Sequence, residues 1–185
     1  IGGIAGILDN GSIVDCNNSN TITQSAGRST GGIVGQIQDS INSGAGGTIE
    51  NCVNTGKVNV LKGDENKNAI AGGIAGETVK AKIDLCVNKG DVESTEAYVG
   101  GIVGNANAEV TNSHNEGLIR VTGVNDFKNS CAGGIAGQLE ANGFPSAKIE
   151  NCYNINTVYA AGDHVGGIAS YSNGKIVNCY NTGYV

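Results

Sequence analysis

Apolar and polar positions along this chain recur in blocks. The motif Gly-Gly-Ile-Ala/Val-Gly begins at Gly2, Gly31, Gly72, Gly100 and Gly133, and returns from Gly166 with Ser170 as its last member. A second block follows each copy: IENCVNTGKV from Ile49, IDLCVNKGDV from Ile83, IENCYNINTV from Ile149 and IVNCYNTGYV from Ile176. Looser forms start at Ile13 and Val110. The starts lie 29, 41, 28, 33 and 33 residues apart. Self-similarity at this period is the signature of a stacked-repeat architecture.

Aligned, the repeats form three apolar columns. Ile4, Ile33, Ile74, Ile102, Ile135 and Ile168 make the first, and Ile13, Ile49, Ile83, Val110, Ile149 and Ile176 the second. Ile22, Val58, Val92, Ile119, Val158 and Val185 make the third. Every member is β-branched, the class that suits a pleated surface better than a helix. The pattern predicts an all-β β-solenoid, a parallel β-helix of six stacked coils with about three short strands per coil. At the standard strand spacing it would be a rod of about 29 Å.

Two further columns are polar or small. Only Gly or Asn occupies Asn20, Gly56, Gly90, Gly117, Asn156 and Gly183, which predicts a bend of left-handed conformation. Two residues earlier runs an unbroken Asn column, Asn18, Asn54, Asn88, Asn115, Asn154 and Asn181, suited to an amide ladder that satisfies turn backbone. Cys16, Cys52, Cys86, Cys152 and Cys179 share another column, with Ser113 in the remaining copy and Cys131 outside it. In-register Cys side chains point in parallel, so these read as reduced, buried thiols packing as small apolar groups.

Composition agrees with thin layers rather than one globular core: 31 Gly, 1 Pro, no Met, no Trp and 4% aromatics. The net charge of −6, with no basic run, argues against nucleic acid as a partner. No apolar stretch is long enough to predict membrane insertion in this fragment. The chain begins just before one repeat and ends with another, which suggests a single repeat domain over residues 1–185 excised from a longer protein.

The blocks resemble the GLUG-motif repeats of bacterial surface proteins, found also in IgA-specific metallopeptidases and adhesins. The best copies are GGIVG at Gly31 with IENCVNTGKV, and GGIAS at Gly166 with IVNCYNTGYV. The resemblance implies an extracellular setting, at the bacterial cell surface or secreted, and a repeat architecture whose motif carries no catalytic residues.

The search for chemistry is consistent with that. His114 and His164 fall in different columns without metal-site context, the Cys residues lack zinc spacing, and acids such as Asp64, Glu65 and Asp126 scatter through loops. The expectation is no catalytic residues, no metal and no cofactor: a non-catalytic stalk or adhesin scaffold with host protein or glycan binding. The alternative is an accessory domain of a secreted IgA-type metallopeptidase or glycan-processing enzyme. For binding, the insertions at Leu61–Ala71, Gly123–Ala132, Gln36–Thr48 and Gln138–Lys148 are candidates. So are the late tyrosines, with Tyr153 and Tyr180 in one column beside the Cys.

Overall fold

The computed structural model describes residues 1–61, 69–95, 98–123, 130–162 and 164–185. Among these there is no helix, and strands of successive coils pair in parallel into four sheets. The β-solenoid is therefore the architecture, held by equivalent residues meeting coil on coil. Ile83 pairs with Ile49 and Val110, Asn88 with Asn54 and Asn115, and Val92 with Val58 and Ile119.

The largest sheet follows the Gly-Gly turn, in which the first-column isoleucines lie one residue ahead of its strands, and carries the second column. In the third and fourth coils it is one strand, Ala75–Asp84 and Val103–Thr111. In the second and fifth coils the insertions split it, into Val34–Gln38 and Thr48–Glu50, and into Ala136–Leu139 and Lys148–Glu150. A six-stranded sheet of two-residue strands, such as Val87–Asn88 and Tyr153–Asn154, ends at the Asn column. It brings the coil's sheets to four where the sequence pattern suggests about three strands. The third column forms another sheet, with strands such as Val92–Ser94. The last, with strands such as Ile70–Gly72, leads back to the Gly-Gly turn.

All three columns point inward, and in the second to fifth coils every member is 0–1% exposed. Ile4, Ile176 and Val185, on the outermost coils, are 44–66% exposed because each such coil has a neighbour on one side alone. The interior is two cores rather than one. The first and second columns pack with Cys52, Cys86 and Cys152, whereas the third packs separately with Val60, Ala71, Val99, Val121 and Ala132.

The bend is not where the Gly/Asn column suggests. None of its members has φ in the left-handed region. That conformation belongs to the residues just before the Cys column: Asp15, Asn51, Leu85, Asn112, Asn151 and Asn178, at φ between 49° and 56°. Asp and Asn tolerate it because their short polar side chains bond locally. The Gly column has a steric cause instead. A Cβ at Gly56, Gly90 or Gly117 would lie 2.0 Å from a backbone carbonyl oxygen of the preceding coil, so the small residue permits coil contact, not a turn.

Candidate functional site

The strand between the Cys and Asn columns alternates inward and outward, and this decides which predicted residues can meet a partner. Asn18, Asn54, Asn88, Asn115, Asn154 and Asn181 point inward. In the first five, Nδ2 donates to Oδ1 of the next coil's Asn at 2.7–2.8 Å. In all six it also donates to the carbonyl of the residue two positions on, at 2.6–2.9 Å. Asn54, Asn88, Asn115 and Asn154 are fully buried, so the amides satisfy the turn from within and offer nothing to a ligand.

Cys16, Cys52, Cys86, Cys152 and Cys179 also lie inward, as free thiols. They do more than fill space. The backbone N–H of Cys16 donates to Sγ of Cys52 at 3.4 Å, and the Cys52 thiol donates to the Glu50 carbonyl at 3.2 Å. Ser113 does the same with oxygen: Oγ accepts from Cys86 N–H at 3.0 Å and donates to the Thr111 carbonyl at 2.7 Å. Burial pushes the Cys152 thiol up to about 12; in the Cys52–Cys86 pair their mutual contact lowers Cys52 to about 7 and, together with burial, raises Cys86, so that Cys86 and Cys152 stay protonated. A protonated thiol is a poor nucleophile and metal ligand. Among the described residues no group of three or more His, Cys, Asp or Glu could hold a metal ion.

The outward positions bring the two expected tyrosines together and add a third ring, His114. Tyr153 and Tyr180 stack with ring centroids 5.0 Å apart and planes 5° from parallel. His114 continues the stack, 4.4 Å from Tyr153 at 9°. The same column runs on through Val87 and Val53 to Asn17. His114 was legible from register, since Ser113 stands in the Cys column and its successor must share a column with Tyr153. His114 Nε2 lies 3.1 Å from Glu116, which Lys89 approaches at 3.5 Å. Burial, Tyr180 and Glu116 together raise the Tyr153 phenol.

Beside this ridge runs a second amide ladder, exposed, on the left-handed residues. Asn178 donates to Asn151 at 2.6 Å, Asn151 to Asn112 at 3.3 Å, and Asn51 to Asp15 at 2.6 Å. Leu85 interrupts it, and Asp84 substitutes by accepting from Thr111 and Asn112 at 2.6 and 2.8 Å. Burial opposes the Asp84 charge, yet those two bonds, the Lys82 charge and the Leu85 N–H together leave its carboxyl below the ordinary range.

The insertions are less open than loops of their length suggest. Asp39 ties down the Gln36–Thr48 segment, accepting from Asn10 Nδ2, Ser43 N and Oγ, and Gly44 N at 2.8–3.1 Å. In the Gln138–Lys148 segment, Asn107 donates to the Glu140 and Asn142 carbonyls and Phe144 packs on the larger core. Within Leu61–Ala71 and Gly123–Ala132, residues 62–68 and 124–129 lie outside the described residues, and Asp64, Glu65 and Asp126 with them.

Residues 95–122 and 128–159 each match the family model for the GLUG motif. Both segments run from ahead of a Gly-Gly turn to the third apolar column, the unit whose columns recur in the other coils. No curated protein and no solved structure matches the chain.

Proposed function

Because two of its repeats match the GLUG-motif family model, we propose that this chain is a non-catalytic extracellular segment of a bacterial surface protein. In this reading it is a stalk that spaces or displays neighbouring domains and meets a partner along its aromatic ridge. The observation that carries the contact role is the stack of His114, Tyr153 and Tyr180 on the outward side of the coil. Neither core and neither polar ladder includes those rings, which leaves their outward edges to a partner.

The stack also selects between host protein and glycan. A sugar ring binds an aromatic by lying on its face, and both faces of Tyr153 are already covered by His114 and Tyr180. What remains of Tyr153 is its ring edge and hydroxyl, which suits a protein surface. Purified chain should bind members of a host extracellular protein panel, and a Tyr153→Ala, Tyr180→Ala double variant with unchanged melting temperature should lose that binding. Signal on a glycan array that depends on the same two rings would replace protein with glycan. Antibodies to this chain should label intact cells of the producing bacterium, and labelling only after lysis would refute the surface setting.

A further inference from the structure

The outward face is asymmetric along its axis. In its central column the second and third coils carry Val53 and Val87, and the fourth and fifth carry His114 and Tyr153. In the next outward column Lys89 of the third coil is followed by Glu116 of the fourth. The face is therefore a shallow valley that steps up to a ridge, with a positive charge on one side of the step and a negative charge on the other.

The geometry points to a second copy of this chain as the protein that fits this face, joined antiparallel about a two-fold axis between the third and fourth coils. This rests on the contact role proposed above and names its partner. A two-fold axis lying across the face reverses the order of coils but keeps each column opposite itself. Tyr153 then meets the partner's Val53 and His114 meets the partner's Val87, so each ring enters a shallow place. Lys89 meets the partner's Glu116, and Glu116 the partner's Lys89. The parallel alternative would set Tyr153 against the partner's Tyr153, ridge on ridge. Strand spacing is identical in the two copies, so the match holds along the face.

Three outward columns of six residues fall just short of the roughly 20–30 residues a side in a standard interface, so the pair is transient. The net charge of −6 on each copy opposes pairing at low salt. Sedimentation of the chain at about 0.15 M salt, from about 1 μM to about 1 mM, should show a reversible monomer–dimer equilibrium. Val53→Trp, which fills the valley at an outward position, should raise the dimer Kd at least about tenfold with an unchanged circular dichroism melt. Lys89→Glu should do the same, and Lys89→Glu with Glu116→Lys should restore the dimer.

A chain that stays monomeric throughout, or a dimer indifferent to Val53→Trp and to the charge exchange, overturns the inference. If a monomeric chain still loses host-protein binding in the Tyr153→Ala, Tyr180→Ala variant, the ridge stands as a contact surface and only the second copy falls.

Discussion

Gly73 has no side chain because the Asn88 amide stands in its place: a Cβ on Gly73 would lie 2.2 Å from Asn88 Cγ. The relationship recurs between Gly32 and Asn54, Gly101 and Asn115, and Gly134 and Asn154. The second glycine of each motif is thus the wall against which the amide ladder is built. Gly73→Ala should destabilise the chain by about 3 kcal/mol, at the upper end of overpacking costs, because both partners are buried and the amide is held from two sides. Urea unfolding measures this, and a change under about 1 kcal/mol would mean that the ladder can shift aside.

Leu85 has φ +54° at a position occupied by Asn or Asp in the other coils. A left-handed conformation costs an ordinary L-residue roughly 1–2 kcal/mol. Leu85→Asn should therefore stabilise the chain by about 1 kcal/mol and raise its melting temperature. A loss of stability would show that Leu85 has packing worth more than its strain.

Ser113 shows what the Cys column requires, an atom that accepts one backbone N–H and donates to a carbonyl. Cys52→Ser should stay within about 1 kcal/mol of the parent. Cys52→Ala should cost about 1–3 kcal/mol, since the Cys16 N–H loses its acceptor. Equal losses in chemical denaturation would reduce the column to simple apolar packing.

Hydrogen bonds led by that from Asn10 outweigh burial and hold the Asp39 carboxyl far below its ordinary value of 3.8. A group depressed in the folded state contributes stability that is complete above its unfolded pKa and is lost as pH falls through the folded one. Asp39→Asn should therefore lower the melting temperature at pH 7, and the difference between parent and variant should shrink only below about pH 4. A difference that vanished already near pH 6 would contradict this assignment.

Columns were legible because a solenoid repeats one environment, so a residue's burial can be read from its position in the repeat. The β-branched columns, the Asn column, and the pairing of Tyr153 with Tyr180 all follow from alignment. His114 was equally available once Ser113 was placed with the cysteines.

The sequence by itself determined the repeat, its register and which columns are apolar, since these depend on residue types recurring at equivalent positions. Only the tertiary structure decided where the chain turns. Gly at Gly56 and Gly90 is compatible both with a left-handed φ and with a carbonyl 2.0 Å from where a Cβ would be, and composition cannot separate conformational freedom from close approach. It likewise decided that the bend falls on Asn51 and Leu85, that the interior divides into two cores, and that the aromatic rings cover one another's faces. Each depends on contacts between coils, which come from how the repeats stack and not from the order of residues within one.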